Sequence, residues 1–307
     1  MFSSSNHSAL TGNLACFAAY AIFGFNIICC KNIAIDGNIT PMALFCLRSF
    51  GATALFWIWS VFTAPKEQVD GKDLWKVAVA SFLGLFMTQL SFLFAITQCT
   101  AIDASIMSTL SPIMTLIISA IVIKERITWS GVTGIVLSLV GVLILIFNCV
   151  SIRSGADSTS IWGILGMVCN TLCFASYVGI FKPLIQKYSV VTFMKWMFLF
   201  SSLMALPFSF GAFGTSNLPA VPMSVMWHVI YVVVGATFIA YFLIPIGQKR
   251  VRPVVVCMYT YVQPVIAMVI ALAMGLDTLN ALKVLATVLV FTGVGLVNFV
   301  PKTAKKS

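Results

Sequence analysis

Two basic side chains, Arg48 and Lys195, stand inside long apolar stretches of this 307-residue chain. A charge in hydrocarbon is costly, so such residues pair, line a wet space or reach back to the interface. Each lies within about seven residues of one end of its stretch, which favours reaching back, and both are read as structural or gating residues. Six neutral polar side chains sit deeper: Asn26, Gln89, Tyr177, Tyr241, Tyr261 and Gln263. Buried amides and phenols need hydrogen-bond partners. A polar solute with its water supplies them, and the rings could also hold a cation or an apolar group. These six are the candidate substrate-binding residues. Glu125 and Asp277 fall at the ends of apolar stretches, where a carboxylate opposes the helix dipole, and are read as structural or hinge groups. Pro112, Pro245 and Pro264 each remove a backbone hydrogen bond and could kink a helix. No Asp or Glu lies in the middle third of any stretch, so a proton relay through a central acid is not expected.

The elements that must position these groups follow from composition. The chain is 60% hydrophobic and 8% charged, against about 25% charged in soluble domains. Mean hydropathy is +1.05. A water-soluble fold of this composition would expose large apolar patches, so the chain is read as an integral membrane protein. Its apolar stretches have the length of spanning helices rather than of alternating strands. The net charge of +10 is assigned to the flanks of the spans, not to nucleic acid. Nine cysteines are scattered without metal spacing and read as small packing residues. No H-E-x-x-H pair, Gly-rich phosphate loop or nucleophile with its base is present, which argues against a membrane enzyme and calls for no cofactor or metal. The N-terminus lacks the basic region of a signal peptide, so the first span is expected to be retained.

Ten spans are predicted: 13–30, 42–62, 74–96, 105–123, 129–147, 161–181, 190–210, 226–246, 254–276 and 281–299, with a polar linker over 148–160. Of the 18 Lys and Arg residues, 13 fall in one set of alternate loops and tails, 3 in the other and 2 within spans. The positive-inside rule then places both termini in the cytoplasm of a multi-pass cell-membrane protein. Lys31, after the first span, points the other way and is outweighed.

The chain also repeats. Pro112 and Pro264, Glu125 and Asp277, and Gly141 and Gly293 each stand 152 residues apart. Gly12 and Gly163, Lys31 and Lys182, and Gly84 and Gly235 stand 151 apart. Two five-span units are predicted, residues 1–150 and 151–307. Five is odd, so the second unit must be inverted relative to the first. Inverted repeats of this kind enclose a central site in secondary transporters.

Several motifs now carry a resemblance. Phe23-Gly24-Phe25-Asn26 through Lys31, Pro41 followed by Arg48, Pro112 through Glu125-Arg126 with Gly134 and Gly141, and the second copy from Pro264 to Gly293 resemble the EamA-type transporters of the drug/metabolite transporter superfamily. Asp277-Thr278 stands where that family has Glu and a basic residue, and Phe23 where Trp is common. The resemblance implies an all-α membrane protein, ten helices as two inverted five-helix repeats around a central cavity. It implies movement, often outward, of small metabolites such as amino acids or drug-like amphipathic compounds. The implied partners are the solute and membrane lipid; oligomeric state is not readable. Two other readings stand beside this one. A nucleotide-sugar or sugar-phosphate carrier needs several cations for phosphate, and Arg48 and Lys195 are the candidates. A non-transporting sensor or scaffold would pack solid at its centre. Ser, Thr and Gly stripes, including Gly166 and Thr237, read as close helix packing. Tyr20 and Tyr188 read as interfacial belt residues.

Overall fold

The structure, a computed structural model, describes residues 2–63, 67–98, 108, 110–124, 128–150, 160–273 and 281–298. Among them every regular element is helical. The long elements are α1 (Phe2–Asp36), α2 (Pro41–Thr63), α3 (Gly71–Ile96), α4 (Ser111–Val122) and α5 (Trp129–Val150). They continue as α6 (Ile161–Ile180), α7 (Val190–Gly214), α8 (Met223–Arg250), α9 and α10 (Ala281–Asn298). Helix α9 has two pieces, Pro253–Met258 and Val262–Ala273, joined by the 3₁₀ turn Tyr259–Tyr261. By length and composition six helices can cross a membrane: α1 over Ser8–Asp36, α2, α3, α6, α7 and α8. The other four are shorter apolar helices among the described residues.

Local chemistry sets the ends. Ser160 and Ser189 cap α6 and α7, each side chain accepting from a backbone N–H of the first turn at 3.2 Å. Gly37, at φ 76°, turns the chain out of α1 with its N–H on the Ile33 carbonyl. Lys124 takes the same left-handed role after α4, at φ 53°. Pro112 lies in the first turn of α4, where a missing N–H costs nothing. Pro264 is likewise near the start of the second piece of α9, just after the 3₁₀ turn. Pro245 stays inside α8. Apolar side chains such as Phe62, Ile121 and Phe210 face outward, as lipid-facing residues do. Trp75, Trp129, Trp162 and Trp227 are exposed near helix starts, where interfacial rings belong.

Helix pairing reveals the symmetry. Helices α2 and α7 occupy equivalent places in the two units and run antiparallel, with Thr40 against Ser216, Ser49 against Ser201 and Thr53 against Phe198. Ser49 and Ser201, within one residue of equivalent places at the 151-residue offset of these spans, bring their hydroxyls to 3.4 Å. Helices α5 and α10 pair in the same sense. There the Ser138 hydroxyl donates to the Val290 carbonyl at 3.1 Å, across 152 residues. Equivalent residues touch each other only near a two-fold axis, and antiparallel equivalent helices place that axis in the membrane plane. The repeat is therefore inverted.

Each end of the bundle is closed by contacts between the units. At one end the Asn217 N–H donates to the Asn38 carbonyl at 2.8 Å and Thr40 meets the Ser216 hydroxyl at 3.1 Å. Asn32 and His228 also meet there, at 3.1 Å. At the other end Lys187 spans Asp70 and Asp73 at 2.6 and 2.5 Å, and the Tyr188 hydroxyl donates to Asp73 at 2.8 Å. Glu67 accepts from the Ser189 N–H at 2.9 Å, and Lys249 donates to the Tyr188 carbonyl. Tyr188 is thus part of a polar clasp rather than a belt residue. The start of α1 and the end of α10 lie at this clasped, basic end: Gly12 packs on Arg250, and Arg252 donates to the Val297 carbonyl at 2.9 Å.

Candidate functional site

The α-helical ladder opens at equivalent places in the two units. Phe82–Met87 in α3 and Tyr231–Ile239 in α8 are π-helical. They contain Gly84 and Gly235, the pair 151 residues apart. A threonine hydroxyl donates to a carbonyl of each segment five residues back, Thr88, just past the first, to Leu83 at 2.6 Å and Thr237 to Val232 at 2.7 Å. Widened turns of this kind aim backbone and side chains at functional sites. The Thr88 carbonyl accepts from the Asn170 amide of α6 at 2.7 Å. Gly84 makes room for the next helix: a Cβ there would lie 2.5 Å from the Tyr177 ring.

Between these segments runs a chain of buried polar groups. Arg48 is 3% exposed and donates from Nε to the Thr237 hydroxyl at 3.0 Å. It does not reach an interface. Its guanidinium acts electrostatically on both the Cys30 thiol and the Tyr241 phenol. Cys30 contacts the Asn26 amide oxygen at 3.6 Å. Tyr241 lies beside the Gln89 amide, yet both amide atoms of Gln89 lack a hydrogen-bond partner of good geometry. Tyr177, also beside Tyr241, donates to Gln248 Oε1 at 3.2 Å. Phe23 and Phe198 meet the Tyr241 ring edge to face, with centroids 5.5 and 5.8 Å away.

Four of the six predicted binding residues, Asn26, Gln89, Tyr177 and Tyr241, thus come together with Arg48. Tyr261 is fully buried one step away, near Cys257, which also neighbours Tyr20. Tyr20 is 2% exposed and packs on Phe23 and Tyr241, so it belongs to this centre and not to an interfacial belt. Gln263 is partly exposed, and what meets α1 is its backbone: a Cβ on Gly24 would lie 3.2 Å from the Gln263 carbonyl. Lys195 stands apart, its ammonium 5.2 Å over the Trp57 ring. Glu125 and Asp277 lie outside the described residues, as does Arg126. Thr237, Gln248 and Asn170 carry more of the site than their places in the polar stripes disclosed.

Among the described residues no group of three His, Cys, Asp or Glu could hold a metal. Two pockets open at the periphery. One, of about 570 Å³, lies between α1 and α8 and is lined by apolar side chains with Trp227 and His228. The other, of about 420 Å³, lies at the clasp beside Asp73 and Lys187. Asn26, Arg48, Gln89, Tyr177 and Tyr241 are buried and line neither of these two pockets.

The profile of the EamA-like transporter family matches residues 10–147 and again 161–299. The chain belongs to the EamA-like transporter family. An uncharacterized transporter of Archaeoglobus fulgidus is 29% identical over 170 residues, covering 55% of this chain and 58% of that protein. The uncharacterized transporter YetK of Bacillus subtilis is 26% identical over 205 residues, covering 65% and 60%. These matches span about three fifths of each relative's length. A solved crystal structure superposes with a TM-score of 0.70 at 17% identity, over 96% of both chains, which speaks for the fold. Two EamA-like copies account for the duplicated π segments and for the antiparallel pairing of equivalent helices. This EamA-like protein is a multi-pass membrane protein of a transporter family.

Proposed function

We propose that the protein is a secondary carrier that exports small, partly apolar metabolites by alternating access between its two units, 1–150 and 151–307. The observation that carries this reading is the chain of buried polar groups around Arg48, Gln89 and Tyr241, held between inverted units and closed at both ends by contacts between them. An inverted pair can exchange which end is open while the centre stays in place. Residues at the centre then see each side in turn. The bland alternative is a solid scaffold, for which unpartnered buried amides are a cost without return. We place the basic, clasped end and both termini in the cytoplasm, following the positive-inside rule.

The test is reconstitution in liposomes with a panel of amino acids, polyamines, purines and cationic dyes, with and without a pH gradient. Counterflow of at least one solute is expected; a panel in which nothing moves removes the carrier reading for it. Tyr241→Ala should lower turnover about tenfold, the scale of one lost orienting contact, with expression retained. Wild-type turnover in that variant would take Tyr241 out of the site.

The clasp gives a second expectation. Hydrogen bonds that the Lys187 ammonium donates to Asp70 and then to Asp73 hold it well above its usual pKa. A raised lysine contributes below its ordinary value and is lost only as pH rises through the raised one. Burial pushes the Glu67 carboxyl up, but hydrogen bonds from Ser189 and Thr192, and the Lys249 charge, overcome it and hold Glu67 below its usual value. That contribution is lost only as pH falls through the lowered value. Hydrogen exchange of the 182–190 backbone, corrected for intrinsic rates, should therefore stay flat between about pH 6 and 9. Asp73→Asn should speed it about threefold, since half-exposed ion pairs contribute little each.

A further inference from the structure

We propose that the central site takes an organic monoanion, whose carboxylate sits on Arg48 and Gln89, and that it discriminates against cations. This rests on the carrier reading above and adds the charge of the cargo. Arg48 is almost wholly buried, and among the described residues its hydrogen bond is the one from Nε to Thr237. It forms no ion pair among them. The described carboxylates, Asp36, Glu67, Asp70 and Asp73, all lie at helix ends or loops, away from the centre. A buried guanidinium without a counter-charge is expensive, and its planar fork matches a carboxylate.

The second observation is independent. Gln89 is 2% exposed, both its amide atoms are unpartnered, and it lies beside Tyr241, which is itself within electrostatic reach of Arg48. One amide N–H donor and one guanidinium, both neighbours of Tyr241, suit a carboxylate. The charge count narrows the anion further. Lys195 faces Trp57 instead of the centre, and Lys283, also buried, belongs to α10 on the seam with α5, which leaves Arg48 as the cation beside Thr237 and Tyr241. A single positive charge balances a monocarboxylate and leaves a phosphate dianion uncompensated. Phe23 and Phe198 around Tyr241 leave an apolar wall for the rest of the solute.

Three congeners with one side chain and different charge test this: N-acetylleucine (anion), N-acetylleucinamide (neutral) and leucinamide (cation). Binding is read as thermal stabilisation of the purified protein, and movement as counterflow in proteoliposomes. The anion is expected to exceed both others by about tenfold or more in binding. Arg48→Gln should bring the three within about twofold of one another. Arg48→Lys should keep the order at lower affinity, because the charge stays and the fork is lost. Thr237→Val, which removes the brace and not the charge, should slow the carrier and keep the order. A wild-type protein that ranks the cation or the neutral amide first overturns the proposal, and so does an Arg48→Gln variant that keeps the anion preference. If Arg48→Gln does not fold, the wild-type ranking and Thr237→Val decide the matter. Excess chloride that abolishes the ranking assigns the site to an inorganic anion and overturns the carboxylate. Stabilisation by the anion with no counterflow leaves the anion site standing and removes the carrier reading; counterflow without charge ranking does the reverse.

Discussion

Gly293→Val is expected to abolish the folded, monodisperse protein, whereas Gly295→Val, two residues along the same helix, leaves it intact. A Cβ at Gly293 would lie 2.5 Å from the Gly134 carbonyl oxygen and 2.8 Å from the Ser138 nitrogen. Around Gly295 nothing lies within 4 Å of the same atom. The obstacles at Gly293 include backbone of α5, which cannot swing aside as a long side chain can. The symmetry explains why the seam is so tight. Gly141 and Ala286 make the contact that Gly293 and Gly134 make across the two-fold axis: a Cβ on Gly141 would lie 2.7 Å from the Ala286 carbonyl. Small residues let membrane helices pack backbone to backbone, and overfilling such a contact costs about 1–3 kcal/mol for each small excess of volume. Valine adds two methyl groups beyond the Cβ that already collides. Gly295→Val makes the same change in helix propensity without the collision, so it isolates the packing effect. Size-exclusion profiles and melting temperatures in detergent check both. A Gly293→Val protein as stable as Gly295→Val would mean that α5 and α10 do not meet this way.

The duplication was legible because it is written in residues that packing singles out. Gly141 and Gly293 are alike because both lie on the dyad seam, and Gly84 and Gly235 because both sit in a widened turn. Inversion followed from counting an odd number of spans. The turn itself was not legible: a π segment changes the hydrogen-bond ladder, and nothing in the spacing of Phe82–Met87 marks it apart from an α-helix. Arg48 was misplaced for a related reason. Its distance from the end of a span favoured the interface, while its actual position depends on Thr237, almost two hundred residues later, being turned toward it. Tyr20 and Tyr188 were both assigned to a belt by residue type alone. Their partners, Phe23 and Tyr241 for one and Asp73 for the other, come from tertiary packing. The clasp joins residues 67–73 to 187–189, two loops without a shared motif, so only folding brings its charges together.

A disulfide between Thr40→Cys and Ser216→Cys is expected to stop transport altogether, and reduction to restore it. The two native hydroxyls lie 3.1 Å apart, and Thr40 also takes a backbone bond from its own N–H to Ser216 at 3.1 Å. Sulfur atoms placed near those hydroxyls need only a small shift to reach bonding distance. Thr40 precedes α2 and Ser216 follows α7, so the bond would tie the first unit to the second at the end opposite the clasp. Alternating access requires this end to part in one half of each cycle. Locking it leaves one state, and net movement falls to the leak of empty liposomes. The neighbouring contact between Asn38 and Asn217 is made by backbone and survives the substitutions, so the reduced variant should work. The wild-type protein, carrying its own nine cysteines through the same oxidation, is the control. Full transport with the disulfide quantitatively formed would show that the units do not separate at Thr40 and Ser216, and the path to Arg48 would have to open between other helices.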